Sequence, residues 1–304
     1  MIGFIFRRLL WMLVTLWVVF TVSFFLMRSV PGGPFDSERA LEPEIEANIR
    51  REYNLDKEWH EQYWIKLKQV ARGDLGSSFK IRERVNDIVA QGLPVSAALG
   101  VLALAIAFLI GLPAGIVSAV FRGSKADLAL MSAATIGIAL PNFVVAGFAI
   151  ILFVFTLQWL PAAGWGSLEQ LILPALCLGA PYAAYVARIA RTGMLDVLGQ
   201  DHIRTARAKG LSPMVVVMKH ALPTAMLPVV SFLGPAVAGI MTGSPVVEQI
   251  FAIPGLGWHF VQSAIDRDYP MAMGLVLLYT ALLYTLHLLV ELSYALLDPR
   301  VEWE

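Results

Sequence analysis

The chain has 304 residues, of which 58% are hydrophobic and only 15% charged, more apolar surface than a soluble domain of this length can bury. Its formal net charge is zero, which removes the basic field expected of a nucleic-acid partner, and its single cysteine, Cys177, excludes an internal disulfide. The five histidines are scattered, and His60-Glu61-Gln62-Tyr63-Trp64 starts like a zinc-protease motif but places Trp64 where the second histidine is required. No metal site is expected.

Six stretches with little or no charge are long enough to cross a hydrocarbon core about 30 Å thick. They are Leu9–Met27, Leu93–Phe121, Leu128 to about Leu157, Gln170–Ala187, Ala221–Val247 and Tyr269–Val290. The expected fold is an all-α integral membrane protein, one transmembrane domain over 1–304. The first stretch follows Arg7-Arg8 as a signal peptide would, but it is long and runs into Arg28-Ser29-Val30-Pro31, with no small-residue cleavage site. It is read as a retained anchor. The third is ended at Gln158-Trp159-Leu160-Pro161, an interfacial aromatic followed by turn residues. The fourth, holding Pro174 and Pro181, is expected to continue past Ala187 as helix. With the N-terminus inside, the inner pieces carry Arg7, Arg8, Arg122, Lys125, Arg188 and Arg191, whereas the short outer loops hold only Arg267 as a cation. Both termini are therefore expected to be cytoplasmic.

After the first span comes an outer subdomain, about 28–92. It opens on the breaker cluster Pro31-Gly32-Gly33-Pro34 and then predicts a helix over Glu42–Gln69, from apolar residues at four-residue steps. It reads either as a cap touching a soluble partner or as a folded loop that stabilises the assembly. A second outer loop, from about Glu248 to Pro270, contains Phe251-Ala252-Ile253-Pro254-Gly255-Leu256-Gly257-Trp258. It is apolar enough for a re-entrant hairpin near a pore mouth or for an amphipathic surface loop.

The inner segment between the fourth and fifth spans, about 188–220, is long and patterned. Asp201 is placed to cap a helix over His202–Lys209, Gly210 to end it in a left-handed turn, and Ser212-Pro213 to start another. Ile203, Ala206 and Gly210 form a small, smooth stripe flanked by Arg204 and Arg207. Such a helix suits a groove on another protein, or a basic segment lying on anionic lipid.

The spans are rich in Pro and Gly. Gly111-x-x-x-Gly115 and Gly239-x-x-x-Gly243 permit close helix approach, and Pro94, Pro113, Pro141, Pro174, Pro181, Pro228, Pro235 and Pro245 each remove a backbone hydrogen bond. Gly234, Pro235, Gly239, Gly243, Ser244 and Pro245 crowd into the fifth span, which marks it as a candidate pathway wall or gate. Glu291, one turn after His287, reads as the acid within a span, either structural or a gating or proton group.

At the inner loop the sequence resembles the permease subunits of ABC importers, whose signature is E-A-A, three residues, G, nine residues, I, one residue, L-P. Here Ala206, Gly210, Leu222 and Pro223 match at that spacing, while Arg204, Thr205 and His220 depart from it. The departures resemble the peptide and nickel branch, which carries R-T-A-R-A-K-G; this chain reads Arg204-Thr205-Ala206-Arg207-Ala208-Lys209-Gly210, then Lys219-His220-Ala221-Leu222-Pro223. Val30-Pro31-Gly32-Gly33-Pro34, Gly243-Ser244 with Val247-Glu248, Pro254-Gly255-Leu256-Gly257 and Asp298-Pro299-Arg300 agree with that branch, which the chain resembles over its whole length, most of all in the oligopeptide B subunits.

The resemblance implies a type I ABC importer permease fold in a bacterial inner membrane and uptake of oligopeptides, with dipeptides or nickel as the alternative cargo. The implied partners are a second permease subunit in a heterodimer, two cytoplasmic ATPase subunits that receive the loop helix, and an extracytoplasmic peptide-binding protein. No cofactor is expected in this chain, because Gly-Lys never occurs and a P-loop is therefore missing; ATP and Mg would be held by the ATPase subunits. The chain is expected to do no chemistry of its own. Two remoter readings are an intramembrane serine protease using Ser244 and His287, against which Pro245 and the missing Gly-x-Ser-x-Gly elbow count, and a proton-coupled carrier using Glu291.

Overall fold

The computed structural model describes residues 2–29, 51, 53–241 and 245–297. The described elements are helical, and the chain divides into two compact units. One is built chiefly from Met1–Pro94 and Gly255–Tyr284, the other from Val95–Pro254 and Thr285–Glu302.

In the first unit, α1 (Ile2–Ser29) carries the first span. Phe20 and Phe24 are fully buried on Met273 and Leu277, with Tyr63 edge-on to both rings. The helix expected over Glu42–Gln69 is not continuous: its C-terminal part is α2, Trp59–Ala71. Residues 42–50 and 52 lie outside the described residues, and the chain turns over Tyr53–Lys57, where Asn54 takes φ 56°. Asn tolerates that left-handed geometry, which ends helical continuity where apolar spacing alone suggested none. Leu67 and Tyr63 pack inward as expected, but Trp59 remains exposed.

Helix α3 (Val85–Val120) contains the second span. The third span is not continuous. It is α4 (Lys125–Ala139) followed by α5 (Asn142–Ala149), which continues as a π-helical stretch Ile150–Thr156, and the two halves meet at 114°. Pro141 supplies no N–H and pushes Leu140 into an extended conformation, φ −84° and ψ 130°, so the ladder is cut there. Gln158 takes φ 55°, at the place where the sequence predicts the run to stop.

Helix α6 (Leu168–Leu198) runs through Pro174 and Pro181 without a break. Its 31 residues span about 46 Å at 1.5 Å each, longer than a bilayer core, so it does extend past Ala187. It packs against α3 through small residues. A Cβ added at Gly111 or Gly115 would overlap the carbonyl oxygens of Ala183 and Ala187, and one at Gly179 would lie 2.5 Å from the Ala103 oxygen.

The next elements are α7 (Asp201–Ala208), α8 (Pro213–Val215, prolonged by a π stretch Val216–Ala221 and by Leu222–Ala225) and α9 (Leu227–Met241). The fifth span thus starts earlier than Ala221 and bends by 52° before Leu227. In α10 (Pro245–Ile250), Glu248 is fully buried, and Phe251 and Ile253 just beyond it belong to the core with Leu99 and Leu173. This part of the expected second outer loop is therefore neither a surface loop nor a free link. Helices α11 (Leu256–Ile265) and α12 (Tyr269–Leu297) complete the described chain. Among the described residues, four helices are long and apolar enough to cross a membrane, or six spans if each bent pair counts as one, which matches the six expected.

Candidate functional site

The residues with functional potential in the second unit lie at two places along α6. The first is the loop carrying α7. Its C-terminus is closed as the sequence predicts: Gly210 has φ 77°, its N–H donates to the Arg207 oxygen at 2.9 Å, and Leu211 N donates to the Ala206 oxygen at 3.4 Å. These two bonds form a Schellman cap. The N-terminus differs. Gln200, not Asp201, is the N-cap, and its side chain makes no capping bond; Asp201 is the first helical residue. The Asp201 carboxylate faces Arg204, 3.4 Å away and exposed. Ser212 precedes the next helix, with Pro213 at its first position, as expected.

The small stripe on α7 points the other way from the expectation. Ile203 is 0% and Ala206 5% exposed, packed with Ala119, Met194, Val197, Val216, Ala221 and Ala225. They anchor α7 to its own unit, because a two-turn helix has too little internal stability to stand without such burial. The outward face is Arg204, Thr205, Arg207, Ala208 and Lys209, beside exposed Met214 and Met218. Further along, His220 and Leu222 are half-buried and Pro223 is exposed.

A largely buried ion pair stiffens the same end of α6. Arg191 Nε donates to Asp127 Oδ1 at 2.8 Å and its Nη2 to Oδ2 at 2.9 Å, a fork-to-fork pair. Ser118 Oγ and Gly123 N also donate to this carboxylate, and Ser124 Oγ accepts from Asp127 N at 3.2 Å. One side chain thus ties the end of α3, the turn and the start of α4 to α6. From the sequence Arg191 reads only as an inner-loop cation, and no local pattern joins it to Asp127, 64 residues away.

The second place is a cavity of about 490 Å³ lined by Ile138, Leu140, Pro141, Asn142, Pro181, Tyr182, Tyr185, Phe232 and Pro235. Three prolines from three spans converge on it, each next to or near a residue with a polar or aromatic tip. Of the expected gate residues, Pro235 lines this cavity. Gly239 serves it indirectly, since an added Cβ would lie 2.5 Å from the Tyr182 hydroxyl. Gly234 is buried, and Glu291, half-buried on α12, is not among the lining residues. Gly243 and Ser244 lie outside the described residues. Asn142, Tyr182 and Tyr185 were missed; a polar residue directly after a span proline, as in Pro141-Asn142 and Pro181-Tyr182, is the signal that points to the first two.

A second acid is withdrawn from water: Glu248, 0% exposed, accepts from Ser96 Oγ at 2.8 Å. A buried carboxylate needs such donors to offset the loss of water.

A family model described as a binding-protein-dependent transport system inner membrane component matches residues 111–303, and the N-terminal model of the same transport systems matches residues 1–100. The oligopeptide transport system permease protein OppB of Salmonella typhimurium is 45% identical over 306 residues, and that of Haemophilus influenzae 44%, each alignment covering 100% of both chains. The dipeptide transport system permease protein DppB of Bacillus subtilis is 43% identical over 303 residues, 99% of this chain and 98% of the relative. Among solved structures, two crystal forms of the inward-facing MetNI methionine ABC transporter align with TM-scores of 0.54 and 0.58 at 22% and 21% identity. They cover 69% of this chain and 94% and 96% of theirs, which establishes a shared fold.

Proposed function

Because the chain belongs to the family of binding-protein-dependent transport system inner membrane components, we propose that it is the membrane-spanning pore subunit of an ABC importer for oligopeptides. The observation that carries this reading is the similarity to oligopeptide permeases from end to end, with full coverage of both chains. The chain is a multi-pass protein of the bacterial inner membrane and a transport component rather than an enzyme. It works with an ATPase and a substrate-binding protein.

The finer assembly is a heterodimer with a second permease subunit, two ATPase subunits that hold ATP and Mg, and both chain termini on the ATPase side. In this reading the outward face of α7, with Arg204, Arg207 and Lys209, engages the ATPase, and the buried pair Ile203 and Ala206 passes its motion to α6. The cavity beneath Pro141, Pro181 and Pro235 is a stretch of the peptide path; Asn142 and the tyrosine hydroxyls supply donors and acceptors for peptide backbone. The span break at Pro141, on the wall of this cavity, supports this, since irregular backbone at membrane depth is tolerated where it lines a cavity or is buried in protein.

The test is ATP-driven uptake by the reconstituted complex. A Cβ at Gly210 meets no atom within 4 Å, so Gly210→Leu adds only the strain of a left-handed residue, about 1–2 kcal/mol. It should insert normally and lose uptake, while Gly210→Asn, which tolerates this geometry, keeps most of it. Wild-type uptake by Gly210→Leu would remove α7 from the coupling role. The near-equal identity to a dipeptide permease keeps a second cargo length in play. Competition of labelled pentapeptide uptake by di- and tripeptides and by nickel decides between them.

A further inference from the structure

The first unit contains a cavity of about 260 Å³ whose lining includes Arg28, Gln62, Lys66, Gln69, Tyr53 and Tyr269. Arg28 and Lys66 are both half-buried, and their hydrogen-bond acceptors among the described residues are neutral. Arg28 Nε and Nη2 donate to Gln62 Oε1 at 3.2 and 2.7 Å, and Nη1 donates to the Phe24 oxygen at 3.4 Å. Lys66 Nζ donates to the Leu75 oxygen at 2.8 Å and to Gln69 Oε1 at 3.4 Å. A guanidinium has five N–H groups and an ammonium three, so donors remain on both.

The acids close to Lys66 are engaged elsewhere. Asp74 accepts from Gln69 Nε2 at 3.0 Å and Gly76 N at 2.9 Å, and Asp268 accepts from Ser78 Oγ, Phe79 N and Met271 N. Neither lines the cavity. Two cations partly withdrawn from water, with no carboxylate of the described residues in ion-pair range, are costly, and an anion entering between them would offset that cost. Burial drives the Lys66 ammonium down to about 8, and the Arg28 charge adds to that fall while Asp74 and Asp268 oppose it. Gly76 is part of the seat: it lies at φ 90°, and a Cβ there would overlap Lys66 Nζ.

We propose that this cavity is a binding site for a small organic carboxylate, held by the Arg28 and Lys66 side chains. The aromatic edges decide for an organic anion over a bare inorganic one. Phe79 also lines the cavity and stands edge-on to Tyr53, 4.6 Å between ring centres, which makes an apolar wall beside the charges. The volume sits below the usual range for drug-sized ligands, about 300–1,000 Å³, so the occupant is a single small acid or one terminal residue of a longer molecule. The site does not depend on which cargo the chain transports.

The test uses the full chain in zwitterionic nanodiscs, titrated with benzoate, benzamide or inorganic phosphate and followed calorimetrically. Benzoate should bind saturably, benzamide about tenfold or more weakly, and Lys66→Met should lower benzoate affinity by about tenfold or more, as for loss of a charge-assisted hydrogen bond. A second readout needs no variant. With lysines ¹³C-dimethylated, the Lys66 signal should shift on saturation with benzoate, and its titration should move upward. Equal affinity for benzamide and benzoate, binding of phosphate alone, or benzoate binding that leaves the Lys66 signal unmoved would each overturn the proposal.

Discussion

Along α6, the end that holds α7 and the middle that borders the cavity are built on opposite principles. Near the C-terminus of α6, an arginine–carboxylate fork fixes α3 and α4 to α6, while a Schellman cap closes α7 and a buried apolar cluster packs it. Near its middle, three prolines and two tyrosines border about 490 Å³ of open volume. A segment that transmits force must not yield, whereas one that passes varied cargo must. Dense packing and satisfied charge give the first property, and irregular backbone with adaptable side chains gives the second.

Substitutions can break this contrast, and the largest effect is expected at the rigid end. Asp127→Ala strips Arg191, Ser118 and the Gly123 N–H of their shared acceptor at once, so it should produce the deepest fall in thermal midpoint and cut the yield of inserted protein. A midpoint equal to wild type would mean that the fork holds nothing. Next comes Gly193→Leu. Its Cβ would lie 2.6 Å from the Ala225 oxygen, and overpacking of this kind costs about 1–3 kcal/mol, read by denaturant unfolding.

The contrast extends to Lys66, a cation of the first unit that has no ion pair among the described residues. Its folded pKa is lowered to about 8 from an ordinary 10.5, so the unfolded chain holds this proton longer than the folded one. Stability should therefore rise with pH between about 8 and 10.5, by at most about 1.4 kcal/mol per pH unit from this residue. Lys66→Met should flatten that slope; parallel wild-type and variant slopes would contradict the assignment. The smallest stability effect is expected at the yielding region. Tyr185 is 43% exposed, so Tyr185→Ala should stay within about 0.5 kcal/mol of wild type while altering the range of peptides taken up. A large loss of stability there would show that the cavity wall is as rigid as the loop.

Much of this architecture follows from local rules. Apolar runs of bilayer length mark six stretches, and the described helices account for six spans when each bent pair counts as one, because water-free hydrocarbon tolerates few other segments. Gly210 announces its left-handed turn because other residues are strained there, and Gly111 and Gly115 announce a close helix approach because their missing side chains make room for it.

The tertiary structure alone decided the rest. Pro141 breaks its span while Pro174 and Pro181 leave α6 continuous, although the same chemistry was present at each. Ile203 and Ala206 turn inward because α6 and α8 offer them a core, which a stripe read along one helix cannot reveal. Asp127 meets Arg191, and Ser96 meets Glu248, across separations that carry no periodic signal. Backbone geometry and apolar length are properties of neighbours in the chain, whereas the pairing of a buried charge and the direction of a small face depend on what folding brings beside them.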